Sequence, residues 1–296
     1  MQVTFLGTSS MVPTKERNQI AVFLSYGSEG LLFDCGEGTQ RQFKIAGISL
    51  TKVTKLIISH WHGDHVLGLP GLIQSLSSMN YSNKLEVYGP AETKKHMEEM
   101  FKAFVFDKKI NIEIKEIKSG IFFENNEFQL EAYPLEHSIE TLGYRFVEKD
   151  KRKIDMKKVK KLNIPIGPLL GQLQQGRAVE HKGRKIMPED ITYVEAGKKL
   201  AYITDTVLCE NCYKIADDAD LLISEATYSS KLVDKSEEYG HMTAKQAAQI
   251  ANKSNIKRLV LVHFSARYKN TQELEEDARN IFDNVICAND FMKIEL

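Results

Sequence analysis

The chain has no stretch approaching the ~18 uninterrupted apolar residues of a membrane-crossing helix. Its start, Met1-Gln-Val-Thr-Phe-Leu-Gly-Thr-Ser-Ser10, has neither a cationic head nor a long apolar run. We therefore expect a soluble cytoplasmic protein with no membrane partner. An excess of either charge is also missing, since 40 Lys and Arg meet 40 Asp and Glu. A polyanionic partner would have to be met by a local patch, not by the field of the whole chain. Cysteine is scarce: Cys35, Cys209, Cys212 and Cys287 are too few and too scattered to staple a secreted domain of this size. Cys209 and Cys212 form a CxxC, which could be half a zinc site or a redox pair. With no second CxxC, ordinary reduced thiols at a helix start are the preferred reading. Internal repeats and low-complexity tracts are absent too.

What is present is ample apolar material, 42% hydrophobic residues of which aromatics make up 9% of the chain, enough for a substantial core in 296 residues. Short β-type runs recur at 3–6, 20–25, 31–34, 55–59, 85–88, 128–134, 141–147, 199–204, 221–224 and 258–262. Helical patterns fall at 67–78, 92–103, 207–216, 243–253 and 271–282, so the class is mixed, α/β or α+β. The helix at 243–253 is the best specified. Thr243 and Gln246 make a capping box, and Ala244, Ala247, Ala248 and Ala251 form an apolar stripe. From about Glu148 to Glu195 the strand pattern lapses. Lys149 to Lys161 carries eight basic residues against two acids, followed by Ile164-Pro-Ile-Gly-Pro-Leu-Leu-Gly-Gln-Leu-Gln-Gln-Gly176. A segment that long without periodicity reads as an insertion, 148–195, within one domain spanning 1–296.

The strongest signal is Ser59-His-Trp-His-Gly-Asp-His65, which places His60, His62, Asp64 and His65 directly after an apolar strand. Imidazole and carboxylate are the ligands zinc takes in catalytic sites. Four of them on one turn suit two metals, provided further ligands arrive from elsewhere. His137, Asp205 and His263 each follow a strand, at the end where α/β folds gather their active-site loops. Each of these three alone has a duller account, a structural histidine or a helix N-cap.

The order H-x-H-x-D-H, then His, Asp and His, resembles the metallo-β-lactamase superfamily. That likeness implies an αββα sandwich with two zinc ions per subunit. By that resemblance His60, His62 and His137 hold one zinc, Asp64, His65 and His263 the other, and Asp205 bridges them. Phe5-Leu-Gly-Thr8 and Asp34-Cys-Gly-Glu-Gly-Thr39 match as well.

Four features narrow the likeness to the ribonuclease Z family. Pro13-Thr-Lys-Glu-Arg-Asn18 is similar to its P-x-K-x-R-N loop, implying tRNA contacts by Lys15, Arg17 and Asn18. Gly240-His-Met-Thr-Ala244 is similar to its short His-containing loop. Ser224-Glu-Ala-Thr-Tyr228 is near its His-Glu-Ala-Thr motif, with Ser224 in place of the leading His. Gly167 and Pro168 stand where the family's flexible tRNA-binding arm carries a glycine-proline motif, and the lysine-rich flank makes electrostatic sense of such an arm.

The implied activity is a zinc-dependent endoribonuclease, commonly homodimeric, that removes the 3′ trailer of precursor tRNA. Asp64 is then the proton acceptor, His241 the general acid oriented by Glu225, and Arg267 and Tyr268 contact the phosphate. Two alternatives stand beside it. One is a generic or cyclic-nucleotide phosphodiesterase of the same fold; the other is a catalytically inactive RNA-binding subunit.

Overall fold

The computed structural model describes residues 1–105 and 109–296. The chain divides into two compact units, one of residues 1–123, 130–146 and 199–296, the other of residues 124–129 and 147–198.

The first unit is built on two seven-stranded sheets. One runs, in spatial order, Lys293–Glu295, Gln2–Gly7, Ala21–Tyr26, Glu29–Phe33, Lys55–Ile57, Lys84–Gly89 and Asn111–Glu116. The other runs Val285–Cys287, Leu259–Val262, Leu221–Glu225, Lys199–Ile203, Thr141–Glu148, Phe128–Leu135 and Gly120–Glu124. Successive side chains of a strand point to opposite faces, and here both faces are buried. Ala21 and Phe23 pack outward with Leu32, Leu56 and Ile58 against helices Thr39–Ile45, Leu69–Ser78 and Thr93–Ala103. Phe33 faces the other way and meets Tyr202 and Tyr144 of the second sheet at ring-centroid distances of 5.2 and 6.3 Å. The outer face of the second sheet is covered by helices Glu210–Ala216, Ala244–Lys253 and Gln272–Arg279. The result is the αββα layering of the metallo-β-lactamase fold.

Helix Ala244–Lys253 begins on the capping box read from the sequence. Thr243 Oγ1 accepts from the Gln246 amide at 3.2 Å, and Gln246 Oε1 accepts from the Thr243 amide at 2.8 Å. Its alanine stripe lies in the core. The strands Lys199–Ile203, Leu221–Glu225, Leu259–Val262 and Val285–Cys287 are mutually parallel, as are Glu29–Phe33 and Lys55–Ile57 of the other sheet. Loops leaving their C-terminal ends carry the residues of interest.

The second unit departs from the aperiodic segment expected. Strands Lys151–Ile154 and Thr192–Glu195 pair antiparallel, and Val179–His181 pairs with Arg184–Ile186 across a tight turn. That turn has φ of 52° at Lys182 and 72° at Gly183, the left-handed pair that a two-residue hairpin requires. Helices Met156–Lys161, Pro168–Gln174 and Pro188–Ile191 complete it. Val159, Ile164, Leu170, Leu173, Val179, Ile186 and Ile191 form its own small core. The periodicity was invisible because these elements span only three to seven residues. Pro168 opens its helix in the position where its missing N–H costs nothing, and both it and Gly167 are exposed. Lys149, Lys151, Arg152 and Lys153 are paired with Glu124, Glu148, Glu189 and Glu195. Lys157, Lys158, Lys160 and Lys161 are exposed on helix Met156–Lys161, with no acidic partner among the described residues.

Candidate metal centre

Strand Lys55–Ile57 ends in the turn bearing His60 to His65, and its docking is set by glycine. Gly68 lies so close to the preceding strand's loop that an added Cβ would stand 2.1 Å from the Gly36 carbonyl oxygen. Backbone bonds from Cys35 N to His65 O (2.7 Å) and from Gly68 N to Cys35 O (2.9 Å) clamp the two loops together.

Among the described residues three groups of side chains converge. His60, His62, His137 and Asp205 form one; Asp64, His65, Asp205 and His263 form a second; Glu225, His241 and His263 form a third. Within each group the facing atoms lie within 4.8 Å of one another, and Asp205 belongs to the first two. In the first, His62 Nδ1 is 3.1 Å from His60 Nε2 and 3.2 Å from His137 Nε2. In the second, His263 Nε2 is 3.3 Å from both His65 Nε2 and Asp64 Oδ2, and 3.2 Å from Asp205 Oδ1.

The far ring nitrogens explain why these atoms face inward. His60 Nδ1 donates to Ser59 Oγ (3.0 Å), His65 Nδ1 to Asp34 Oδ2 (2.9 Å), His137 Nδ1 to the Gly240 carbonyl (2.9 Å) and His263 Nδ1 to Thr227 Oγ1 (3.0 Å). Each bond fixes the tautomer that leaves Nε2 with its lone pair directed into the cluster. Lone pairs crowded at such distances repel unless a cation lies among them. Burial and the neighbouring His65 hold the His60 imidazole well below its usual protonation range, so it offers that lone pair readily. Asp64 Oδ1 is buried and has no hydrogen-bond partner among the described residues. A buried carboxylate oxygen left unsatisfied is costly, and a metal ion is the natural remedy. The donor set therefore fits a metal cofactor.

Several participants carried no assigned role in the sequence reading. Asp34 is fully buried at φ 55°. Its carboxylate accepts from the Ser59 amide (2.8 Å) and hydroxyl (2.9 Å), the His65 ring and the Tyr202 hydroxyl (2.8 Å). Thr227 passes the contact from His263 on to Glu225 Oε2 at 2.6 Å. Neither could be told from a turn acid or a strand-end threonine in one sequence. Asn tolerates the left-handed backbone at position 34 but lacks the charge. Asp34→Asn is therefore expected to keep the fold while weakening metal affinity by about 10- to 100-fold. Titration with a competing chelator checks this, and unchanged affinity would show that Asp34 merely fills space.

The remaining predicted residues separate into groups. His241 Nδ1 lies 3.3 Å from Glu225 Oε1 and 3.9 Å from Asp205 Oδ2. Burial disfavours its charged form, but the Glu225 and Asp205 carboxylates outweigh that and raise it to about 9. Lys15 and Arg267 are exposed, the latter with its guanidinium 5.4 Å from the Tyr228 ring centroid. Arg17 is instead buried, donating to the Tyr268 carbonyl, and Asn18 donates to the Glu37 carbonyl at 2.8 Å. The Tyr268 hydroxyl accepts from the Ser229 amide at 2.8 Å. These three side chains thus brace loops. Gly167 and Pro168 belong to the second unit. Alternation along Leu221–Glu225 puts Ser224 on the same face as Leu222, against the alanine helix. Serine there removes no imidazole from the metal face.

The clusters floor an open cleft of about 770 Å³, rimmed by Met11, Val12, Tyr239 and Glu238. Residues 1–151 match the family model described as "Anti-Pycsar protein Apyc1", and residues 178–264 match "Beta-lactamase superfamily domain". The chain is 41% identical to the ribonuclease Z of Methanothermobacter thermautotrophicus, covering 100% of this chain and 97% of that one. It is 39% identical to the ribonuclease Z of Crocosphaera subtropica, covering 100% and 98%. Among solved structures, human tRNase Z, short form, superposes with a TM-score of 0.74 at 29% identity over 100% and 99% of the two chains. With relatives this similar along its whole length, the chain belongs to the ribonuclease Z family.

Proposed function

We propose that this chain is an endoribonuclease that cuts the 3′ trailer from precursor tRNA by hydrolysis with two zinc ions per subunit, leaving a tRNA 3′-hydroxyl and a trailer 5′-phosphate. The observation that carries the reading is one buried carboxylate, Asp205, shared between two converging imidazole–carboxylate clusters. Four ligands about 2.0–2.1 Å from a tetrahedral zinc lie about 3.3 Å apart, close to the 3.1–3.3 Å separations of the imidazole nitrogens. His60, His62 and His137 would hold one ion, Asp64, His65 and His263 the other, with Asp205 common to both. Bound zinc would supply Lewis acidity, making water a nucleophile near neutral pH and neutralising charge on the phosphate oxygens.

The chain's own groups do the proton handling. Asp64, with one carboxylate oxygen to spare beside the one that would face the metal, accepts the proton lost by the attacking water. His241 donates to the departing 3′-oxygen, which leaves poorly as an anion. Glu225 holds its Nδ1 and favours the protonated ring. Lys15 and Arg267 meet phosphates at the cleft, while Arg17, Asn18 and Tyr268 shape the loops that carry them. The unit containing Gly167 and Pro168 serves as the tRNA-binding arm through Lys157, Lys158, Lys160 and Lys161. Homodimerisation in the cytoplasm completes the proposal.

Incubating the zinc-loaded protein with an end-labelled precursor tRNA and mapping the cut tests the activity. Cleavage after the discriminator nucleotide supports the reading. Hydrolysis of small diesters alone would move it to a phosphodiesterase, and salt-sensitive tRNA binding without cleavage to a non-catalytic subunit. Changing the four arm lysines to alanine together should raise KM for whole precursor about tenfold or more and flatten its salt dependence by up to about one unit of slope per lysine. Hydrolysis of a small phosphodiester should be spared. An equal loss on both substrates would remove the arm from tRNA recognition.

A further inference from the structure

We propose that Cys209 and Cys212 are an oxidation site, at which a peroxide closes the two thiols into a disulfide that lowers turnover by displacing the loop beginning at Asp205. The consequence for turnover rests on the hydrolytic reading above; the chemistry of the sulfurs does not.

The two sulfurs are 3.5 Å apart, with Cys209 as the cap and Cys212 in the first turn of helix Glu210–Ala216. A disulfide needs about 2.05 Å, so the sulfurs must approach by about 1.5 Å, and residues three apart on a helix start can reach that geometry. Their roles are unequal. The Cys212 thiol hydrogen-bonds to Cys209 and, against the effect of burial, brings the Cys209 thiol down to about 6, while that contact and burial push Cys212 up. Cys209 is therefore the nucleophile and Cys212 the resolving thiol. Cys209 lies at the margin of burial, 9% exposed and two residues after Val207, which lines the cleft, and that exposure admits a molecule as small as hydrogen peroxide. Cys35 and Cys287 are buried with their thiols raised to about 12, which makes them internal controls.

The electrons balance in two steps. The Cys209 thiolate attacks one peroxide oxygen, the O–O bond breaks, and a sulfenic acid and hydroxide result. Cys212 sulfur then attacks Cys209 sulfur, the S–O bond breaks, and the proton from Cys212 leaves with the hydroxyl as water. Two thiols are oxidised and one peroxide is reduced.

Cys212 is fully buried in the helical layer, so Cys209 must do most of the moving. It ends a short loop laced to the site. The Thr206 amide donates to Glu225 Oε1 at 2.8 Å, and Val207 N to the Glu136 carbonyl at 2.9 Å. Thr206 Oγ1 lies 4.0 Å from Cys209 Sγ and accepts from the Glu136 amide at 3.0 Å. Pulling on Cys209 therefore pulls on the segment joining Asp205, Glu225 and the residue before His137.

The test treats zinc-loaded enzyme with hydrogen peroxide and counts alkylatable thiols after denaturation, with peptide mapping, alongside turnover on a precursor tRNA and on a small phosphodiester. The expected result is a fall from four thiols to two, a link mapped to Cys209 and Cys212, at least about a tenfold loss of turnover on both substrates, and recovery with dithiothreitol. Cys212→Ser should keep basal turnover, form no intramolecular link and give a sulfenic acid at Cys209 that dimedone traps. Four free thiols after treatment, or irreversible oxidation of Cys209 beside a free Cys212, would overturn the proposal. A mapped disulfide with unchanged turnover would overturn the coupling. The thiol count needs no substrate, so its failure is distinct from a failure of the tRNA reading.

Discussion

Asp205→Asn is expected to lower turnover about a thousandfold or more, equivalent to about 4 kcal/mol of barrier, and to reduce bound zinc. The side chain is 4% exposed; Oδ2 is 3.6 Å from His60 Nε2 and 3.4 Å from His65 Nε2, while Oδ1 is 3.2 Å from His263 Nε2. Burial alone opposes its ionisation, yet the rings of His263, His65 and His241, when protonated, hold the carboxylate charged, as cations among them would. An amide preserves the shape and removes the charge. KM for precursor tRNA should change little, because the contacts proposed for the arm lysines are untouched. Zinc per chain after dialysis, with kcat and KM, checks this. Trp61 gives a second readout, lying between His60 and His62 in the chain with its indole N–H bonded to Thr93 Oγ1 at 2.9 Å. Two tightly held zinc ions and turnover within tenfold of the original would show that Asp205 bridges nothing.

His241→Ala is expected to cut turnover by about 10²- to 10⁴-fold, the usual range for a lost general acid, with KM for tRNA and zinc content retained. The ring is raised to about 9 before cations arrive. Zinc beside Asp205 would offset that carboxylate's share and lower the value towards 6.5. An acid works while protonated, so activity should be full at low pH on this limb and fall as pH rises through a midpoint between 6.5 and about 9. His241→Ala should lack that alkaline fall. Glu225→Gln, which removes the largest influence favouring the proton, should move the midpoint downward. The same sign governs stability: the metal-free fold gains from this ring below 6.5 and loses the gain as pH passes about 9. An alkaline limb that survives in His241→Ala would assign the donor elsewhere.

The metal site was largely legible in the sequence because His60 to His65 are contiguous, and contiguity of so many ligand types needs no tertiary information. His137, Asp205 and His263 were legible only in company, since each merely follows a strand. Asp34 and Thr227 escaped because their importance lies in what they touch across the fold. Arg17 and Asn18 looked like phosphate contacts by residue type, whereas their side chains meet carbonyls of Tyr268 and Glu37. Most strands were legible from alternation. Asn111–Glu116, an edge strand with half-buried isoleucines between charges, and the three-residue Val285–Cys287 and Lys293–Glu295 gave too little pattern. The same shortness hid the elements at 151–195.

The carbonyl that steadies His137 belongs to Gly240, the neighbour of His241, and its φ of 72° with the His137 ring packed against it admits no larger residue. On the roles proposed above, ligand and acid would in this way be mounted on a single hinge plate. On those roles, loss of the ion would loosen both the ring that held it and the peptide that aims the proton, so metal removal should cost activity twice over.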